Sequence, residues 1–147
     1  MAKSTLNQKT FESLIKHLVE IEEKKNKLVE QYFPEMSKER SEFVKLIENY
    51  IQTVDRFLRS AAKNQTGGQV PFVTIGSEVE VEELDTGQTS AFRIVHPFTS
   101  DISERDVSYI APMGKALLLK KVGDEVEVKA PDGVFRYKVK AIRLEKG

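Results

Sequence analysis

Four glutamates crowd the N-terminal half around Pro34: Glu30, Glu35, Glu39 and Glu42. Carboxylate oxygens are the ligands that a hard cation such as magnesium takes, and one or two side chains suffice because the ion keeps several waters. Taken alone, these four do not amount to a site. The chain is rich in Glu, and exposed glutamates on a helix ordinarily do no more than keep its face wet. Other chemistry has little to build on. There is no cysteine, which removes disulfides, thiolate zinc sites and a Cys nucleophile. His17 and His96 lie in different segments and read as surface residues, so neither a metal pair nor a catalytic dyad is indicated. There is no GxGxxG and no P-loop.

Composition narrows the class further. A chain of 147 residues holds one ordinary domain or two small ones. Hydrophobic residues make up 39% and charged residues 31%, which reads as globular and soluble. Lys plus Arg equals Asp plus Glu at 23 each, so the cationic surplus of an ordinary nucleic-acid binder is missing. No apolar run approaches a membrane span. The opening MAKSTLNQKT is polar and lacks the apolar core of a signal peptide. A cytoplasmic location is the simplest expectation.

The glutamates would be carried on helices. Phe11, Leu14, Leu18, Ile21, Lys25, Leu28 and Tyr32 follow alternating steps of three and four, the a and d positions of heptads with one polar member. Phe43, Ile47, Tyr50, Val54, Phe57 and Ala61 make a second stripe. Pro34 disfavours helical geometry at Phe33, so the first helix should stop there. Ser37 suits the N-cap of the second. Stripes joined by so short a connection predict an antiparallel coiled-coil hairpin. Its second helix, from about Ser37 to Lys63, would be roughly 40 Å long. The aromatic members of both stripes read as coiled-coil core, and the many lysines as a solvated face.

Asn64 to Gly68 reads as a linker, since Gly67 and Gly68 break a helix cheaply. Beyond it the period becomes two. Val79 and Val81 alternate with Glu78, Glu80 and Glu82, an amphipathic strand. Ala91 to Val95 and Asp106 to Ile110 read as extended, and Pro112 opens a short helix, MGKALLLKK. Glu125 to Ala130 leads to the Pro131-Asp-Gly turn, after which Phe135 to Leu144 alternates again. The expectation is an α+β chain: a helical hairpin over residues 1–66, then a small antiparallel sheet with one short helix over 70–147.

The second half carries a resemblance. VTIGSEVEVEELDTGQTSAFRIV and SDISERDVSYIAPMGKALLLKKVGDEVEVKAPDGVFRYKVKAI resemble the C-terminal domain of the Gre family of bacterial transcript cleavage factors (GreA/GreB type). Gly-Ser, the acidic Leu-Asp-Thr-Gly turn, Arg-Ile-Val, Asp-Ile, Gly-x-Ala-Leu, Val-Gly-Asp and the Pro-x-Gly hairpin fall in the family's order, from Val73 to Ile142. Two positions depart from it. Ala111-Pro112 stands for Ser-Pro, and Leu119 stands where the family has Gly, which changes how the short helix ends. In the arm, Glu39-Arg-Ser-Glu42-Phe43 is similar to the family's Glu-Asn-Ala-Glu-Tyr and Glu35-Met36 to its Asp-Leu, with one extra residue between. The first helix reads as about six residues shorter than the family's, roughly 9 Å of reach.

The resemblance implies a coiled-coil arm followed by an FKBP-like β domain. It implies a partner, RNA polymerase, whose secondary channel admits the arm. Glu35 and Glu39 would stand for the tip acids that help hold a second magnesium ion, shared with the polymerase, while a backtracked transcript is hydrolysed. The chain would then be no enzyme itself, having no complete catalytic site. Nascent RNA or DNA would be met only within the complex. Ser100, Asp101, Ile102 and Pro112 map to the surface that docks on the channel rim. Asp101 equally suits a turn cap, and Pro112 a helix start.

Three functions stay open. One is stimulation of transcript cleavage. Another is a non-cleaving Gre paralogue that occupies the channel and modulates or inhibits transcription, a class that takes in the short-armed regulator of nucleoside diphosphate kinase. The third is a peptidyl-prolyl isomerase, because FKBP-like folds include isomerases. Against it, the chain has no Trp, where isomerases line an aromatic pocket that includes one.

Overall fold

A computed structural model describes residues 8–64 and 70–144. The chain divides into two compact units just before Val70. Most of the expected linker lies outside the described residues.

The first unit is two helices, α1 (Gln8–Tyr32) and α2 (Lys38–Asn64), packed against each other. α1 ends where Pro34 requires, its last turn closed by the Phe33 N–H on the Val29 carbonyl at 2.9 Å. α2 starts under Ser37, whose Oγ accepts the Arg40 N–H at 3.1 Å and so satisfies one orphan amide of the first turn. The core comprises Leu14, Leu18, Ile21, Leu28 and Val29 from α1, and Phe43, Ile47, Tyr50, Val54 and Leu58 from α2. Each such side chain contributes about 1.5–3 kcal/mol by leaving water.

The seam departs from the heptad reading at both its ends. Tyr32 is exposed, and Val29 is buried in its place. Phe33 stacks on Phe43, ring centroids 4.8 Å apart. Phe57 is half-buried while Leu58 is buried. An α-helix turns once in about 3.6 residues, so a strict heptad stripe drifts off the contact line by roughly 20° per heptad.

The second unit is a five-stranded sheet with one short helix. Its strands are β1 (Ser77–Glu83), β2 (Thr89–Val95), β3 (Asp106–Ser108), β4 (Glu125–Ala130) and β5 (Gly133–Leu144), and the helix is α3 (Pro112–Leu117). The spatial order is β3-β2-β1-β5-β4. Ser77, Val79 and Val81 point inward from β1 while the glutamates between them are half-exposed, the alternation a one-sided sheet requires. A register shift between Glu80 and Val81 marks a bulge against β5. Val79, Val81, Ile94, Val126, Val128 and Val139 meet Tyr109, Leu117 and Leu118 in the core. Thr74 and Ser77, both buried, satisfy each other through their hydroxyls at 2.9 Å.

The sheet is mixed. Three pairings are antiparallel, as expected, but β3 runs parallel to β2. The connection between them carries the chain back alongside the last three residues of β2, where Asp106 pairs in register with Arg93. Strand β3 also stops at Ser108, short of Ile110, because the next three residues turn the chain into α3, the Ala111 N–H donating to the Ser108 carbonyl at 3.0 Å. α3 itself ends at Leu117 rather than running through the lysines. Leu119 there adopts φ +71°, a left-handed conformation that ends a helix.

Candidate functional site

Glu35 and Glu39 stand at the tip of the helical hairpin. Glu35 lies in the connection after Pro34 and Glu39 in the first turn of α2; both are exposed. Met36 between them is 89% exposed, unusual for an apolar side chain. Glu39 sits where the positive end of the helix dipole favours a carboxylate. The donors are of the chemistry magnesium takes. No group of three or more tip carboxylates gathers within coordinating distance among the described residues. Two exposed carboxylates are by themselves only a partial ligand set for such an ion.

A residue that the sequence reading passed over organises this tip. The Arg40 guanidinium donates through Nη1 to the carbonyls of Phe33 at 3.1 Å and Pro34 at 3.2 Å, and through Nη2 to Glu30 Oε2 at 3.2 Å. It thereby satisfies the first two carbonyls of the connection that follows α1. The available signal was a basic residue three positions after a helix cap, facing a helix end that carries a glutamate.

The other candidate residues lie in the second unit. Ser100, Asp101 and Ile102 are exposed in the connection between β2 and β3, Ile102 by 59%. Asp101 adopts φ +55°, which Asp tolerates better than most residues. The segment is anchored at both ends. Thr99 N–H donates to the His96 carbonyl at 3.1 Å, and Ser103 N–H donates to Asp106 Oδ2 at 3.0 Å. Pro112 is exposed at the first position of α3, the structural place its missing N–H suits.

His96 corrects an expectation. It is not a surface residue but is 3% exposed. Its Nδ1 lies 3.0 Å from the Tyr109 hydroxyl, and its ring stacks on Phe98 at 4.5 Å. A buried imidazole needs such a partner.

The Arg93 fork grips Asp106, Nε to Oδ1 at 3.0 Å and Nη2 to Oδ2 at 2.8 Å. That hydrogen bond, above all, holds the Asp106 carboxyl below the usual carboxylate range, against the opposing effect of burial. On the outer face, Glu78 lies within ion-pair distance of Arg105 and Arg143, and Glu82 of Lys140. Burial raises the Tyr137 hydroxyl pKa above its ordinary value, aided by Glu83 and Asp132.

Sequence and structure comparisons point to a known family. The model described as "Transcription elongation factor, GreA/GreB, C-term" matches residues 68–144. The transcription elongation factor GreA of Thermotoga petrophila is 35% identical over 97% of this chain and 98% of its own length. The same protein of Thermotoga maritima matches to the same extent. Among solved structures, Gfh1 of Thermus aquaticus is 26% identical over 97% of this chain and 99% of that one, with a TM-score of 0.45.

Proposed function

The chain belongs to the GreA/GreB family of transcription elongation factors, and on that premise we propose that it binds RNA polymerase through the secondary channel and assists cleavage of backtracked transcripts. The observation that carries this reading is the exposure of Glu35 and Glu39 at the connected end of the two-helix hairpin. α2 has 27 residues, roughly 40 Å of rigid reach. That suits a probe delivering side chains to a recessed site. In this reading residues 1–66 are the arm and 70–147 the FKBP-like domain.

Glu35 and Glu39 would offer carboxylate oxygens to a magnesium ion shared with the polymerase. When bound, that ion supplies positive charge that lowers the pKa of the attacking water and steadies the leaving oxygen. The protein's own part is to bring the carboxylates to the reacting phosphate and hold them there. Ser100, Asp101, Ile102 and Pro112 would dock on the rim of the channel, outside the chemistry.

A second reading, a non-cleaving factor that occupies the channel, is favoured by Arg40. It places a guanidinium at the connected end of the helices and engages Glu30. Transcript cleavage on a stalled, backtracked elongation complex separates the two. The wild type is compared with Glu35→Ala/Glu39→Ala over a range of magnesium concentrations. Cleavage by the wild type that the double variant loses supports the cleavage reading. No cleavage, with competition against an authentic Gre factor for polymerase, replaces it with the channel-occupying one. Failure to bind core polymerase removes both.

A further inference from the structure

We infer that Arg40 is the positioning residue of the arm tip: its guanidinium fixes the connection between α1 and α2, and so sets how Glu35 and Glu39 are presented. This rests on the reading of Glu35 and Glu39 as the working acids.

Three contacts from one side chain carry the inference. Nη1 is shared between the carbonyls of Phe33 and Pro34, the last groups of the chain before Glu35. Nη2 reaches Glu30 on α1. The backbone N–H of the same residue is held by the Ser37 cap at 3.1 Å. Arg40 is thus bonded on both sides of the segment that contains Glu35, while its neighbour in sequence is Glu39. Its side chain is only 22% exposed, far below what a solvated surface arginine shows. The Phe33–Phe43 stack supplies an apolar base to the same turn. An exposed ion pair contributes little on its own, so the Glu30 contact matters for direction rather than for stability. A planar fork with donors at fixed angles can span two carbonyls and a carboxylate; a lysine ammonium is a point charge on a flexible stem.

Geometry and charge predict opposite signs. If Arg40 acted only through its positive charge, removing it would strengthen the hold of nearby carboxylates on a cation. If it positions them, removing it weakens that hold, because misplaced ligands must be reordered when the ion binds.

The test uses the full chain with Arg40→Gln and Arg40→Lys. In the free protein, hydrogen exchange is followed at the amides of residues 35–41. In elongation complexes, the half-saturating magnesium concentration, the maximal cleavage rate and the affinity for polymerase are measured separately. The expected result for Arg40→Gln is faster amide exchange at the tip. Its magnesium requirement should rise on the order of tenfold, with polymerase affinity unchanged. Arg40→Lys should restore only part of either effect. A lower magnesium requirement in Arg40→Gln overturns the inference in favour of a charge effect. Polymerase affinity and melting temperature falling together overturn it in favour of general destabilisation of the arm. If the wild type does not cleave, the functional reading fails. The exchange measurement then still decides: unchanged protection in Arg40→Gln overturns the positioning role, and lost protection upholds it for the turn.

Discussion

The backbone N–H of Leu119 donates to the carbonyl of Val73 at 2.8 Å, and Leu119 does so from a left-handed conformation, φ +71°. The chain reverses there, and Val73 in turn donates to the Lys120 carbonyl at 2.8 Å. Two elements far apart in sequence are locked by this pair of bonds. The conformation suits Gly, the residue the Gre family places here. For a side chain with a Cβ it costs roughly 1–2 kcal/mol. Leu119→Gly is therefore expected to hold or raise stability, by up to about 1 kcal/mol after the loss of a half-buried side chain and the greater freedom of the unfolded chain. The isomeric Leu119→Ile should lower it by about 1 kcal/mol or more, because a β-branched residue fits that region worst. Urea denaturation checks both. A stable Ile variant would contradict the left-handed assignment.

The Arg93–Asp106 fork predicts a pH dependence. The Asp106 side chain is 2% exposed and its carboxyl titrates below the ordinary value, chiefly through the Arg93 hydrogen bond. A depressed folded pKa gives stability that is present above the unfolded value, about 3.9, and lost as pH falls through the folded value. The second unit should thus weaken on acidification below about pH 4, and Asp106→Asn should remove that part of the slope. At neutral pH the Asn variant should cost about 1–3 kcal/mol, the range for a hydrogen bond to a charged group. Thermal melts of both proteins from pH 3 to 7 measure this. Equal slopes would show that the acid sensitivity lies elsewhere.

Gly114 gives a steric prediction. It is buried in α3, and a Cβ there would collide with the carbonyl oxygen and carbon of Ser108. Those are backbone atoms at the end of β3, so no rotamer change relieves the clash. Gly114→Ala is expected to cost about 1–3 kcal/mol as overpacking, despite the better helix propensity of Ala. The neighbouring Lys115→Ala should be nearly neutral. Denaturation midpoints of the two variants settle the comparison, and a neutral Gly114→Ala would mean that α3 is free to move away from β3.

How much of this was legible in the sequence depends on the range over which each feature is specified. The β1 alternation was legible because side-chain direction has a period of two and one face is buried. Pro34 and Ser37 were legible because a helix stop and a cap act on adjacent backbone. The parallel β2–β3 pairing was not, since three residues carry no directional pattern and the pairing depends on the return of a connecting segment. The seam beyond Leu28 was missed because helical drift moves the contact line from Tyr32 to Val29 and Phe33. Arg40 was passed over. Its partners are carbonyls, which no residue type announces. His96 was misplaced for a similar reason, its hydrogen-bond partner Tyr109 lying 13 residues away. Glu35 and Glu39 drew their meaning only from the family resemblance.

The connection between β2 and β3 yields the last prediction, which tests the proposal that the second unit docks on polymerase. Ile102 is 59% exposed, beside Asp101 with its positive φ. An exposed apolar side chain gains nothing from folding, so its truncation should leave stability almost unchanged. If Ile102 is buried against a partner, Ile102→Ala should weaken binding to core polymerase by roughly 1–2 kcal/mol, about 5- to 30-fold. Asp101→Asn isolates the charge, because Asn accepts the same left-handed backbone. An ion pair at a rim would make that variant associate more slowly, with a weaker dependence on salt. Competition against an authentic Gre factor, read at two salt concentrations with melting temperature as the folding control, measures both effects. Undiminished affinity in both variants would place the docking surface outside this connection. A loss confined to Ile102→Ala would make the contact apolar and leave Asp101 as the residue that turns the chain.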